Sequence, residues 1–145
     1  MKLSTRGRYG VRLMLDLAEH YGNGPIYLKD IAQRQEISEK YLWQLVPPLK
    51  SAGLITTVRG AKGGYYLSKS PKDINLMDII KILEGPLFLV DCVDNPAVCE
   101  RAHTCITREV WEEVSQKIGE ILMSITLESL VERQRSKTQD AAYYI

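Results

Sequence analysis

Two short helical patterns follow one another in the stretch Leu28-Lys-Asp-Ile-Ala-Gln-Arg-Gln-Glu-Ile-Ser-Glu-Lys-Tyr-Leu-Trp-Gln-Leu45. Apolar side chains three and four residues apart give each pattern one face that can be buried. Ser38 precedes the second pattern, where its hydroxyl can accept a backbone N–H that the helix leaves unpaired. The spacing therefore predicts two short helices joined by a tight turn, which is the helix-turn-helix arrangement. The apolar positions are Leu28, Ile31 and Ala32, then Tyr41, Leu42, Leu45 and Leu49.

A β-hairpin with a basic tip is predicted directly after the second helix. Residues 54–58 read Leu-Ile-Thr-Thr-Val, residues 59–64 read Arg-Gly-Ala-Lys-Gly-Gly, and residues 65–67 read Tyr-Tyr-Leu. Runs of β-branched and aromatic residues around a glycine-rich segment are typical of a hairpin. With the helix-turn-helix, the hairpin predicts a winged helix, mainly α with a small β wing. The glycines match neither the Walker nor the dinucleotide-binding pattern, so a nucleotide site is a poor alternative.

The winged-helix arrangement predicts where DNA would bind. The second helix would enter the major groove, and the wing would lie along the backbone or the minor groove. Arg59 suits the minor groove, where negative potential is focused, and Lys62 is the other cation of the tip. Pro47 and Pro48 fall inside the second helix, and an interior proline costs about 3 kcal/mol or more. We therefore expect that helix to kink or restart near Val46, after the groove-facing residues 38–44.

The distribution of charge also favours a polyanionic partner for the first half of the chain. The 145 residues carry a net charge of +1, but residues 1–70 hold 11 Lys and Arg against 5 Asp and Glu. Residues 71–145 hold 8 against 13, so only the first half is basic. The N-terminus has no apolar signal core, and no apolar run approaches the roughly 20 residues that span a bilayer. We expect a cytoplasmic protein with no membrane partner.

All three cysteines lie in one short stretch. Cys92, Cys99 and Cys105 are separated by six and by five residues, and His103 stands between the last two. Three soft thiolates in one loop can hold an iron–sulfur cluster or a zinc ion, and the spacing alone does not separate the two. The alternative to a metal centre is three free thiols, two of which form a redox-labile pair. No Ser/His/Asp or Cys/His arrangement stands out, so an enzyme is not expected.

A long apolar stripe follows the cysteine stretch. Apolar residues recur every three or four positions from Ile106 to Ile125, which predicts an amphipathic helix about 30 Å long. The preceding unit is too small to cover that face, so we expect a partner helix from a second copy. The resulting division is a DNA-binding unit at residues 1–85, a cluster-binding loop at 86–105, a dimerisation region at 106–132, and a polar, flexible tail at 133–145.

Motifs along nearly the whole chain resemble the IscR-type family of winged-helix transcription regulators. The most specific are Arg59-Gly to Gly63-Gly-Tyr65 in the wing and the three-cysteine loop, with Tyr41-Leu-Trp-Gln-Leu45 in the second helix. The resemblance implies a homodimer crossed through the long helix. It also implies a cluster, most often two-iron two-sulfur, whose occupancy sets which double-stranded operators are bound. The residues that it places near DNA are Ser38, Lys40, Tyr41 and Gln44.

The resemblance also identifies Cys92, Cys99 and Cys105 as cluster ligands. In that family the fourth ligand is a histidine three residues after the last cysteine. Here the position holds Arg108, which cannot serve as a ligand at ordinary pH. His103 is then the leading candidate for the fourth ligand, and Asp94, Glu100, Glu109 or an external thiol are the alternatives.

The residues predict a DNA-binding regulator with a metal centre. The resemblance implies a repressor of iron–sulfur cluster assembly genes that senses cluster status, with cluster donor proteins as further partners. One alternative keeps DNA binding and makes the cysteines a thiol or zinc redox switch. An alternative of another class is a cluster carrier or scaffold that binds no operator.

Overall fold

The winged-helix unit is built from three helices and a two-stranded hairpin. The structure is a computed structural model, and it describes residues 2–143. Two 3₁₀ turns, Pro71–Asp73 and Pro96–Val98, lie between the later elements. The helices and strands, in chain order, are α1 (Thr5–Glu19), α2 (Leu28–Gln35), α3 (Glu39–Ser51), β1 (Ile55–Val58), β2 (Gly64–Leu67), α4 (Leu76–Glu84), α5 (Asp91–Asp94), α6 (Ile106–Ser124) and α7 (Leu127–Tyr143).

Helix α1 is the centre of the hydrophobic core. Its buried face packs against the apolar faces of α2, α3 and α4, and the core continues into the hairpin. Gly10 lets α4 come close, because a Cβ at Gly10 would stand 2.0 Å from Leu83 Cδ1. The predicted faces of the helix-turn-helix pair are therefore the faces that the fold buries. The largest fully buried side chains include Leu13, Met14, Leu17, Ile31, Leu42, Leu45, Leu49, Ile55 and Ile79.

The turn between α2 and α3 has the predicted tight geometry. Glu36 ends α2 in the left-handed conformation, with φ of 54°. The backbone N–H of Tyr41 donates to Ser38 Oγ over 3.3 Å, so Ser38 caps α3 as the sequence predicts. This cap fixes where α3 begins.

Of the predicted kink or restart near Val46, the restart was wrong, because α3 is one helix from Glu39 to Ser51 and contains both prolines. Pro47 and Pro48 remove the hydrogen bonds to the carbonyls of Trp43 and Gln44. Both of those residues are exposed, so water can satisfy their carbonyls. The buried leucines of α3 supply tertiary packing that outweighs the local cost.

The wing is an antiparallel pair. Ile55 pairs with Leu67 and Val58 with Gly64, which agrees with the predicted hairpin to within a residue at each end. Ile26 adds an isolated bridge to Tyr65 on the other side of β2. The wing is therefore attached to the segment that leads into α2.

The C-terminal part is a long helix that begins in the core. Leu127 and Val131, at the start of α7, are buried in the core of the winged-helix unit. Residues 133–143 continue this helix, and the predicted flexibility of the tail from residue 133 stays a prediction. They contain no glycine or proline, so a helix that begins on packed residues can propagate through them. The last two residues of the predicted tail lie outside the described part, and the division into functional units stays a prediction.

Candidate DNA interface and cysteine loop

Helix α3 presents one polar face to solvent. Lys40 and Gln44 are exposed, as the prediction of major-groove contacts requires, and Ser38 is exposed at the helix start. Tyr41 is half-buried, and its ring meets Tyr9 edge-on at 5.7 Å between centroids. The structure thus leaves three of the four predicted residues exposed and uses the fourth partly for packing.

Trp43 is a further exposed side chain on this face that the sequence prediction did not assign to DNA. It is 53% exposed, although its ring meets Tyr65 of the wing edge-on at 6.2 Å between centroids. A tryptophan at helical spacing normally indicates core. The structure shows instead that the Trp43 ring extends from α3 toward the wing.

The wing tip is shaped by close backbone contacts. A Cβ at Gly63 would stand 2.1 Å from the carbonyl oxygen of Val58, so no other residue fits there. The N–H of Gly63 donates to the carbonyl of Gly60 over 3.0 Å and closes the turn. Arg59 and Lys62 are both exposed on this tip, where the sequence placed them. The geometry can present two cations to a phosphate backbone.

A buried carboxylate joins α1 to the end of α2. Asp16 accepts hydrogen bonds from Arg34 Nη2 (2.7 Å) and Nε (3.1 Å) and from Gln35 Nε2 (3.0 Å). The hydrogen bonds to Asp16 raise the pKa of Arg34. Arg12 donates to the backbone carbonyl of Gln35 from the same side. We call Asp16, Arg34 and Gln35 the Asp16 cluster. It ties α1 to the residues just before the turn into α3, and no sequence pattern signalled it.

The three cysteines lie at different depths along an exposed loop. Cys92 is half-buried in α5, Cys99 is exposed, and Cys105 is half-buried at the residue before α6. All three are free thiols. Hydrogen bonds from the Thr107 side chain, at 3.2 Å, and from the Arg108 backbone lower the pKa of Cys105.

The donor chemistry fits a metal centre, but the conformation does not assemble one. Three uncommitted thiols within one loop are the donor set that iron–sulfur clusters and zinc use. Across residues 2–143, no group of three or more His, Cys, Asp or Glu side chains is close enough to hold a metal ion. His103 is exposed, and within the described residues it belongs to no such group. A cluster would therefore have to draw the loop together as it binds.

Arg108 is occupied by another role. Its Nε donates to the backbone carbonyl of Cys92 over 2.9 Å, and the side chain is half-buried. Its Nη1 lies 3.9 Å from Glu112 Oε2 on the same helix. The arginine at the expected ligand position thus fastens the start of the loop to α6.

Helix α6 leaves an apolar stripe uncovered. Ile106 is 70% exposed and Ile121 is 60% exposed, and Val110, Trp111 and Val114 between them are exposed as well. Beside the stripe, α4, α6 and residues 86–93 enclose a groove of about 640 Å³ lined by Met77, Phe88, Gly119 and Met123 among others. No helix of residues 2–143 is long and apolar enough to cross a membrane.

Comparison with known proteins identifies the family. A family model named Rrf2 and described as an iron-dependent transcriptional regulator matches residues 3–133. The chain belongs to the Rrf2 family. The HTH-type transcriptional regulator CymR of Bacillus subtilis is 41% identical over 145 residues, which cover 100% of both chains. Its solved structure, described as that of the global cysteine regulator, has a TM-score of 0.78 at 44% identity and covers 92% of this chain and 98% of that one.

Other Rrf2-family relatives carry the name IscR. The HTH-type transcriptional regulator IscR of Photorhabdus laumondii is 39% identical over 134 residues, which cover 92% of this chain and 81% of the relative. The solved structure of T. potens IscR has a TM-score of 0.76 at 46% identity and covers 92% of this chain and 88% of that one. These Rrf2-family relatives confirm the predicted winged-helix fold and resemblance. The chain is a DNA-binding transcription regulator and not an enzyme.

Proposed function

We propose that this Rrf2-family regulator is a cytoplasmic homodimer that represses iron–sulfur cluster assembly genes according to its own cluster status. The observation that carries the proposal is the three-cysteine loop, which connects the winged-helix unit to the uncovered helix α6. A ligand that gathers the cysteines would act on the segment between the DNA-reading surface and the dimer contact. Differential affinity of cluster and DNA for two arrangements of the dimer would then link the signal to operator choice.

We propose Cys92, Cys99 and Cys105 as ligands of a two-iron two-sulfur cluster, with His103 as fourth ligand and donor proteins as its source. Bound there, the cluster would supply a redox-sensitive link among the three thiolates. Cys92 and Cys105 are half-buried, in α5 and at the start of α6, and Cys99 is exposed, so we expect Cys99 to be the freest to move as the cluster binds. Zinc is the alternative ligand for the same thiolates.

For DNA, we propose that Ser38, Lys40, Tyr41 and Gln44 read the major groove. Gln44 is the residue best suited to discriminate bases, since an amide can pair with adenine in a bidentate way. Arg59 and Lys62 contact the backbone or the minor groove from the wing. Two such units in a dimer would read half-sites about 34–36 Å apart.

The dimer itself is proposed through α6. A stripe with Ile106 and Ile121 more than half exposed is costly to leave in water, and a second copy offers the matching face. The neighbouring apolar groove extends the surface that such a partner helix would cover.

A second candidate is a thiol-responsive regulator without a cluster. The lowered pKa of Cys105 and the separation of the cysteines favour it, as does similarity to CymR, whose structure is described as that of a global cysteine regulator. The carrier or scaffold alternative has less support, since the winged-helix fold has no role in it.

Anaerobic purification separates these candidates. We expect a coloured protein with iron and sulfide in equal amounts, and Cys99→Ser should lose both while Thr104→Ser keeps them. Footprints of holo and apo forms should then differ on promoter DNA. A colourless protein with one zinc per chain supports the zinc switch, and a metal-free protein whose footprint changes with thiol oxidation supports the thiol switch. Cluster transfer to an acceptor without any footprint supports the carrier.

A further inference from the structure

The wing has an attachment point at the start of α2. The N–H of Ile26 donates to the carbonyl of Tyr65, and the N–H of Tyr65 donates to the carbonyl of Ile26, each over 2.8 Å. Gly64 makes this approach possible, because a Cβ there would stand 2.6 Å from the carbonyl oxygen of Ile26. Residue 26 therefore bridges β2 on the side away from β1, one residue from the Val58–Gly64 pair next to the tip.

The next residue reaches further, to the tip. The hydroxyl of Tyr27 donates to the backbone carbonyl of Ala61, between Arg59 and Lys62. Within the described part of the chain, no other side chain donates a hydrogen bond to residues 59–63. The Tyr27 ring remains 48% exposed, so this tyrosine spans the outside of the wing rather than filling the core.

This contact matters because the tip is otherwise weakly held. Two strands of four residues form a marginal hairpin on their own. Its loop contains Gly60 and Gly63, and glycine loses the most conformational freedom when it is ordered. A tip that is ordered before binding loses less entropy when it meets DNA.

We propose that Tyr27 is a positioning residue for the wing, whose hydroxyl holds the Arg59–Lys62 tip at a fixed place relative to α3. Tyr27 need not contact DNA itself. It fixes where the two cations stand, so its loss should weaken only the part of binding that passes through them. The inference rests on the proposed wing contact with DNA.

The first test is a titration with a fluorescein-labelled, mixed-sequence duplex followed by anisotropy. Tyr27→Phe removes one hydroxyl and should weaken binding about 2- to 10-fold, the range of one hydrogen bond. Tyr21→Phe is the matched control, since Tyr21 is also 48% exposed and lies away from the wing. In a protein that already carries Arg59→Ala and Lys62→Ala, the Tyr27→Phe change should alter affinity less than 2-fold.

Hydrogen exchange of the tip amides provides an independent readout. Residues 60–63 should exchange several-fold faster in Tyr27→Phe than in the unaltered protein, at an unchanged melting temperature. Unchanged exchange at the tip, or equal weakening of DNA binding with and without the two cations, would overturn the inference. If the Arg59→Ala, Lys62→Ala protein binds DNA as tightly as the unaltered one, the proposed wing contact fails instead, and the exchange result still decides whether Tyr27 holds the tip.

Discussion

Removal of the Asp16 carboxylate would test whether the Asp16 cluster holds α1 against the helix-turn-helix. The side chain of Asp16 is 1% exposed and accepts three hydrogen bonds from Arg34 and Gln35. Asp16→Ala removes all three acceptor contacts at once. Asp16→Asn keeps the shape but turns one acceptor into a donor that faces Arg34 or Gln35, so its effect should be smaller than that of alanine.

The expected size follows from what happens to the partners. Breaking a fully buried ion pair costs about 3–5 kcal/mol, because the remaining charge has no water. The side chain of Arg34 is 40% exposed, so its guanidinium regains water and the upper range does not apply. Hydrogen bonds to a charged group are worth about 1.5–3 kcal/mol. We expect Asp16→Ala to lose about 2–3 kcal/mol, a fall of about 4–12 °C in Tm for a chain of this size.

Thermal and urea unfolding followed by far-ultraviolet circular dichroism would measure the loss. All variants are compared at one protomer concentration, because association shifts apparent stability. Asp140→Ala, at an exposed carboxylate on α7, is the control and should change Tm by less than about 1–2 °C. A loss below about 1 kcal/mol for Asp16→Ala would refute the reasoning. So would additivity with Arg34→Met, since two residues in direct contact should show coupling.

Further outcomes follow from the proposed dimer surface, the raised pKa of Glu19 and the close approach of Gly64 to Ile26. Ile121→Asp should convert the proposed dimer into a monomer, as measured by light scattering. Burial of one isoleucine side chain contributes about 1.5–3 kcal/mol, and a symmetric dimer contains two copies of Ile121. Glu120→Gln should leave the dimer intact. Burial raises the pKa of Glu19, so its ionised form is disfavoured in the fold and stability falls as pH rises from about 4.3 through the folded pKa. Glu19→Gln should therefore raise Tm at pH 7, and only slightly, because solvent screens this half-buried group. At pH 3 the Glu19 carboxyl is protonated, so the substitution should leave Tm unchanged. A lower Tm at pH 7 would contradict this direction. Gly64→Ala should lower the free energy of unfolding by about 1–3 kcal/mol more than Gly60→Ala does. Both glycines have positive φ, but only Gly64 lacks room for a Cβ. Equal losses in the two variants would mean that backbone strain, and not the contact with Ile26, causes the effect.

The local features were predictable because each rests on neighbouring residues. The Ser38 cap, the apolar faces of α2 and α3 and the hairpin from Ile55 to Leu67 depend on patterns a few residues long. The continuity of α3 through Pro47 was not predictable, since tertiary packing outweighs the local cost. The contacts of Tyr27 with Ala61 and of Arg108 with Cys92 join residues 34 and 16 positions apart. No periodicity reports such pairs.

The cysteine loop shows why spacing predicted a donor set but not a site. The elements around it are short: α5 has four residues, the 3₁₀ turn after it has three, and Ala102 is the one buried residue between Asp91 and Cys105. So little packing leaves the loop conformation to be set by whatever binds its thiolates, and thiolate–metal binding of about 10–16 kcal/mol, measured for zinc, far exceeds the loop's own contacts. Only the ends of the loop are fixed, Cys92 through Arg108 and Cys105 at the start of α6. Movement of Cys99 toward those ends would pull on residues fastened to α6, the helix through which we propose that the dimer forms. The proposed sensor requires such a connection between its ligand site and the dimer contact.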